Sequence, residues 1–197
     1  MSKILFFFKL SIVILISTSA FAFEEDAKKF VQSTTDEAKK IILDKSIKLE
    51  DKKKEIEKIA INFVDVDGLG KFTLGSERKN LNKEQLNQYT KTFRVFFAKN
   101  ISSRLQNYSD QDIKVIGSKQ ISDNYVMVNS KMISKKEGQE IAVDWRVFKI
   151  NDKLVVRDLV VEGLSLAKTQ RQEFSSILAS KGFDGLIKSL DEFILKN

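Results

Sequence analysis

From Ile113 to Val161 the hydrophobic pattern has a period of two, and this constrains the fold more than any other feature of the chain. Ile113–Ser118, Tyr125–Ile133, Ile141–Ile150 and Leu154–Val161 are four strand candidates. The connections between them are short: Ser122-Asp123-Asn124, then Lys135-Lys136-Glu137-Gly138, then Asn151-Asp152. The last is a two-residue hairpin signal, and the glycine-containing segment reads as a longer hairpin loop. Short connections of this kind predict an antiparallel meander. Val126, Val128, Ser130 and Met132 share one face of their strand. On the next, Val143, Trp145 and Val147 lie opposite Asp144, Arg146 and Phe148. Strand 155–161 carries large β-branched residues on both faces, so both faces are expected to be covered. Asp144 and Arg146 are expected to form modest cross-strand pairs with Arg157 or Lys131.

Helical spacing dominates on either side. Ala27, Phe30, Val31, Ala38, Ile41 and Ile42 mark a first helix, and Ile56, Ile59, Ala60 and Phe63 a second. Asp65-Val66-Asp67-Gly68-Leu69-Gly70 begins like a calcium loop. Its fifth position is Leu69 and its twelfth Ser76, so the ligand set fails and a short helix over 69–74 is expected instead. Asn82 opens the longest helix, with Gln85 three residues on as a capping box. Leu86, Tyr89, Phe93, Phe96, Phe97, Ile101, Leu105 and Tyr108 follow one face of it. An aromatic stripe of that length makes either a core or the lining of an apolar cavity. After the strands, Ser165 caps a helix bearing Phe174, Ile177 and Leu178. Gly182 ends that helix, and Asp184 starts a final one bearing Leu186, Ile187, Leu190, Phe193 and Ile194. The class is α+β: a helical N-terminal half, a four-stranded meander and two C-terminal helices.

The 197 residues carry a net charge of +7 and contain no Cys, His or Pro. Disulfides, thiolate nucleophiles, Cys-based zinc sites and Ser–His or Cys–His catalysis are therefore excluded. An enzyme here would have to work with carboxylates, Lys, Tyr or Ser; the candidate base is Asp158 or Glu162 in an apolar pocket, but no second polar group is placed to complete such a site. A nucleic-acid or anionic-surface binder is the other reading of the basic balance. The lysines are dispersed among acids and the aromatics fall on buried periods, which argues against it. Met1–Ala22 has the three parts of a secretory signal: Lys3 and Lys9, the apolar run Leu10–Ile16, and the small-x-small site Ala20-Phe21-Ala22. Cleavage after Ala20 or Ala22 is expected, leaving residues 23–197 as one domain in the periplasm.

Val143-Asp144-Trp145-Arg146-Val147, the run from Val155 to Leu166 (VVRDLVVEGLSL), and Arg171, Phe174 and Ser175-Ser176-Ile177-Leu178 closely resemble the MlaC, or toluene-tolerance, family of periplasmic phospholipid-binding proteins. Gly182, Gly185, Leu186 and Ile187 continue the likeness. Val64-Asp65-Val66 and Lys71-Phe72-Thr73-Leu74-Gly75 resemble that family's short-helix segment. The chain departs from the family where Thr169-Gln170 precede Arg171 in place of Asn-Tyr, which bears on partner contacts and not on the fold. The resemblance implies a curved sheet and helices enclosing an apolar lipid pocket with an NTF2-like flavour. It implies a monomeric carrier without cofactor, metal or catalytic residue. Its partners would be phospholipid, an outer-membrane lipoprotein–porin complex, and an inner-membrane ABC transporter with a membrane-anchored lipid-binding ring, with no role for nucleic acid. Under it, the acyl-chain wall is drawn from Phe93, Phe97, Val126, Val128, Val143, Trp145, Val156, Val160, Phe174 and Leu178. Arg146 and Arg171 are the candidate phosphate contacts.

Overall fold

The computed structural model describes residues 17–104, 111–134 and 138–197. Helices α1 (Ser17–Leu43) and α2 (Leu49–Phe63) lead to a short α3 (Val66–Leu74), a 3-10 turn at Glu77–Lys79 and α4 (Lys83–Ser102). The sheet follows: β1 (Gln111–Ser122), β2 (Tyr125–Ser134), β3 (Glu140–Ile150), β4 (Lys153–Val161) and β5 (Leu164–Ser165). The chain closes on α5 (Leu166–Lys196). The described part of α1 begins within the segment expected to be a targeting sequence.

The starts of α3, α4 and α5 are each capped by a side chain. The capping box of α4 is complete: the Gln85 N–H donates to Asn82 Oδ1 (2.9 Å) and the Asn82 N–H donates to Gln85 Oε1 (3.0 Å). The expected run of this helix to Tyr108 passes outside the described residues at Leu105. Asp65 caps α3 by accepting from the Gly68 N–H (3.0 Å), and its other oxygen accepts from Arg157 Nε (2.8 Å). Both Asp65 carboxylate oxygens are thus engaged, while Asp67 pairs with Arg94. A Cβ at Gly68 would sit 2.2 Å from Asp65 Oδ2, so the cap requires glycine there.

All five strands lie in chain order and pair antiparallel. The meander is as expected, with one addition. Glu162 and Gly163, both at positive φ, turn the chain back so that Leu164 and Ser165 pair with Val161 and Val160. Two residues are too few to show a period, so no pattern announces β5. β4 also carries a bulge. Arg146 pairs with Asp158 and Val147 with Val156, leaving Arg157 as the extra residue. The expected pairs of Asp144 and Arg146 with Arg157 or Lys131 are replaced accordingly. Asp144 accepts from Asn129 Nδ2, Arg146 reaches Asp158, and Arg157 reaches Asp65.

α1 packs on β1 and β2, while α3, α4 and α5 pack on one another. Two apolar clusters result. One fills the space between α1, α2 and the inner face of the sheet, and the other the space among α3, α4 and α5. Val64 packs against both clusters. It forms a parallel bridge with Val156, and the following Asp65 N–H donates to Val156 O (3.0 Å).

The two C-terminal helices meet at Gly182, whose φ of 69° and ψ of −172° interrupt α5. A side chain there would meet nothing within 4 Å, so the requirement is conformational and not steric. Gly182→Ala is therefore expected to cost about 1–2 kcal/mol from the left-handed backbone alone. Urea titration with an unchanged m-value is the check. Asn82→Ala, which removes one half of the α4 capping box, is expected to cost about 1 kcal/mol in the same assay.

Candidate functional site

The inner face of β2–β4 is a wall without charge. Val126, Val128, Val143, Trp145, Val147 and Val156 are buried on it. Ala27 and Val31 of α1 and Phe63 of α2 close over them. Phe30 tilts onto Phe63 with ring centroids 4.7 Å apart, and Phe63 meets Trp145 edge-on at 5.7 Å. One polar thread runs through the wall. Trp145 Nε1 donates to Ser130 Oγ (2.8 Å), and that hydroxyl donates to Val143 O (2.8 Å). Each polar atom there has a partner, so burial leaves none of them orphaned.

The second half of the interior is aromatic. Tyr89, Phe93 and Phe96 of α4 surround Phe174 of α5. Phe93 and Phe174 lie at 90° with centroids 6.2 Å apart. Phe97, Leu178 and Phe193 pack around this group. Tyr89 is 1% exposed, and its hydroxyl lies 2.7 Å from Thr73 Oγ1, which donates in turn to Gly70 O. Burial pushes the Tyr89 phenol above its ordinary range, and the Thr73 hydrogen bond offsets this only in part. Tyr89 is a neutral member of an apolar surface.

The expected wall residues fall into these two groups. Val126, Val128, Val143, Trp145 and Val156 are together on the sheet. Phe93, Phe97, Phe174 and Leu178 are together among the helices. Val160 is in neither group. Beyond the Arg157 bulge the alternation is reset, so Leu159 and Val161 face inward with Trp145 and Val143, while Val160 pairs with Asp144 on the outer face. Phe30, Val31 and Phe63 complete the sheet-side group. Their helical spacing was visible in the sequence, but spacing alone does not say that this stripe meets a sheet.

The ionisable candidates lie outside the apolar interior. Asp158 fastens the start of α5. Its carboxylate accepts from Ser165 Oγ (2.6 Å) and the Ala167 N–H (2.9 Å), with Arg146 Nη1 at 3.5 Å. Ser165 Oγ also accepts from the Lys168 N–H (3.1 Å) as the N-cap. Glu162 is exposed and accepts from the Ala142 N–H. Arg146 is thus committed to Asp158 on the outer face of the sheet. Arg171 instead lies over the Phe72 ring at 5.2 Å. It also packs so closely on Gly75 that a Cβ there would come within 2.9 Å of Arg171 Nε. Among the described residues Arg171 has no carboxylate partner, and no group of His, Cys, Asp or Glu is arranged to hold a metal ion.

The described residues also line an open groove of about 390 Å³ beside α5, with Gln88, Asp184, Ile187, Lys188, Asp191, Glu192 and Leu195 on its sides. Its openness and three carboxylates distinguish it from the apolar interior. No helix among the described residues is long and apolar enough to cross a membrane.

The fold and sequence have known counterparts. The structure is similar, with a TM-score of 0.72 and 22% identity, to a phospholipid-binding protein from Ralstonia solanacearum solved in complex with a phospholipid. That match covers 86% of this chain and 97% of the other. The chain is 26% identical over 133 residues to the intermembrane phospholipid transport system binding protein MlaC of Haemophilus influenzae. That alignment covers 66% of this chain and 62% of the relative, less than two thirds of the relative's length. A family model described as MlaC protein matches residues 32–192, and on that match the chain belongs to the MlaC family.

Proposed function

We propose that this protein is a periplasmic phospholipid carrier, passing lipid between outer-membrane and inner-membrane complexes and so helping to maintain outer-membrane lipid asymmetry. The observation that carries the reading is the division of the interior into two uncharged clusters that share Val64. The wall of Val126, Val128, Val143, Trp145 and Val156 lies under α1 and α2, and the aromatic group of Phe93, Phe97, Phe174 and Leu178 lies among α3, α4 and α5. If either cluster parts from the helices that cover it, the space opened is lined by apolar side chains. Each methylene taken from water into such a space contributes about 0.8 kcal/mol, so two acyl chains need no further chemistry to be held. The phospholipid complex of the Ralstonia protein and the transport role named for the Haemophilus relative support the same reading.

Carriage explains why the interior lacks a reactive group. The oxygens of Asp158 serve α5 and Tyr89 is buried in the aromatic cluster, so a carboxylate-based hydrolase or isomerase finds no free base on the wall. The protein acts without cofactor or metal. Residues 1–22 serve as a cleaved export signal, and residues 23–197 are the carrier domain. Its partners are an outer-membrane lipoprotein–porin complex and an inner-membrane ABC transporter with a membrane-anchored lipid-binding ring. Of the two candidate phosphate contacts, Arg171 is favoured, because Arg146 is held by Asp158.

Protein purified cold and without detergent is expected to retain phospholipid, read by native mass spectrometry and by lipid extraction. Recovery of protein with no phospholipid under those conditions would overturn the carrier reading. The arginines separate by assay. Arg171→Gln is expected to weaken phospholipid binding about tenfold, the loss of one charge-assisted hydrogen bond, with little change in stability. Arg146→Gln is expected to lower the urea midpoint by loosening the start of α5, with binding retained.

A further inference from the structure

Helix α1 lies along the β1 edge of the sheet and runs opposite to it. Glu24 Oε1 accepts from the Gln120 N–H (3.1 Å) near the end of β1. Gln32 Oε1 accepts from the Val115 N–H (3.2 Å), and Lys39 forms an ion pair with Asp112 at the start of the strand. The last residues of α1, the connection 44–48 and the first turn of α2 are thereby carried past the start of β1. Lys52 Nζ donates to Ile42 O (2.5 Å) and ties the two helices together there. α2 then runs back along the wall, because Val64 at its end bridges to Val156.

The two ends of the wall are not equally covered. Val126, Val147 and Val156 pair across β2, β3 and β4 and are sealed at 0–2% exposure. At the end that holds the α1–α2 turn, Ile113, Met132, Ile141 and Val161 are only partly buried. Leu164, which pairs with Val161 there, is 69% exposed. The turn itself is basic. Residues 39–54 hold seven lysines and three acids, a net charge of +4 out of the chain's +7. The acids are taken: Asp44 Oδ1 accepts from the Ser46 N–H (2.8 Å) and Ser46 Oγ (2.6 Å), Glu50 pairs with Lys53, and Asp51 with Lys54. Lys40, Lys45 and Lys48 are exposed, and among the described residues no carboxylate lies within ion-pair distance of them. Leu43 and Leu49 stand among these lysines, 49% and 43% exposed.

We propose that the α1–α2 turn is a docking element for an anionic lipid surface, and that it sets the less covered end of the wall towards the bilayer. Single exposed leucines are ordinary. Two of them on one protruding turn, set among three unpaired lysines, have the composition of an interfacial anchor. The leucines can enter the boundary between headgroups and acyl chains, while the lysine stems lie along it and carry their charge to the phosphates. Each lysine held near an anionic surface adds attraction that salt screens. Docking is a property of the turn and does not depend on lipid being held inside; only the orientation of the wall rests on the carrier reading.

The test is vesicle flotation of protein expressed from the full chain, with vesicles of phosphatidylcholine alone and of equimolar phosphatidylcholine and phosphatidylglycerol. The parent is expected to float with the anionic vesicles in low salt, to release them as salt rises, and to ignore the neutral ones. Lys45→Gln/Lys48→Gln is expected to weaken association with anionic vesicles about thirtyfold. Lys153→Gln/Lys181→Gln removes the same charge from exposed positions elsewhere and is expected to leave it close to the parent's. Leu43→Ser/Leu49→Ser is expected to abolish the part that survives high salt, since apolar insertion is not screened. No flotation with anionic vesicles in low salt, the result if an acidic protein were the occupant, overturns the proposal. So does equal binding to both kinds of vesicle, or an equal loss in the two lysine variants. Phospholipid retained by Lys45→Gln/Lys48→Gln, read by native mass spectrometry, is expected to match the parent's, so a failure of docking and a failure of carriage are read separately.

Discussion

The bulge at Arg157 is the constraint on which the joining of sheet to helices depends. With uninterrupted alternation Val156, Asp158 and Val160 would share a face, and a carboxylate would enter the apolar wall beside Trp145. One extra residue prevents this. Val156 stays inward against Val147, and Asp158 moves outward opposite Arg146. From there Asp158 receives Ser165 and the Ala167 N–H and fixes where α5 starts. The extra residue is itself used, since Arg157 reaches the carboxylate that caps α3 and also lies over Phe148 at 4.9 Å. A single irregularity thus takes the still buried Asp158 carboxylate out of the apolar wall to where Ser165, Ala167 and Arg146 meet it, avoiding the cost of several kcal/mol of an unpaired buried charge, and it ties two helices to one strand.

The same division of labour holds across the molecule. Polar contacts fix the ends of elements, and apolar contacts fill the spaces between them. Asn82, Asp65 and Ser165 each satisfy orphan N–H groups at a helix start. Ser130 satisfies the one indole in the wall. Asp65 and Ser165 lie at the seam between sheet and helices: Asp65 accepts from Arg157 of β4, and Ser165 donates to Asp158 of β4.

Sequence reasoning recovered what depends on short-range pattern. The meander, the Asn151-Asp152 hairpin, the α4 capping box, the Ser165 cap and the break at Gly182 all rest on residues within a few positions of one another, and all are present. The residues carrying the MlaC resemblance were legible for the same reason. What could not be read depends on pairing between distant segments. The Arg157 bulge follows from register against β3, so Val160 was grouped with Val156 although it faces the other way. Phe63 and Phe30 join the wall because α1 and α2 cross the sheet, a long-range fact that helical spacing does not encode. Arg146 and Arg171 look equivalent in the sequence. They differ because one finds Asp158 across a strand pair, while the other finds Phe72 and the bare backbone of Gly75.

The contrast between the two sheet edges follows from the demands of an apolar interior. A chain that keeps one sheet face uncharged has a strand set rich in Val, Ile and aromatics, and such strands associate readily wherever backbone groups are left unpaired. At the β5 end the remedy is shortness: the Glu162–Gly163 turn sends the chain into α5 after two paired residues. At the β1 end the strand is long because it must pair with the whole of β2, so shortness is not available. Covering the edge with another strand would only move the problem outward. A helix whose Gln32 and Glu24 bond to the strand's backbone ends the sheet instead, and the same helix places Ala27 and Val31 over the wall. One element therefore both closes over the apolar wall and terminates the hydrogen-bond ladder.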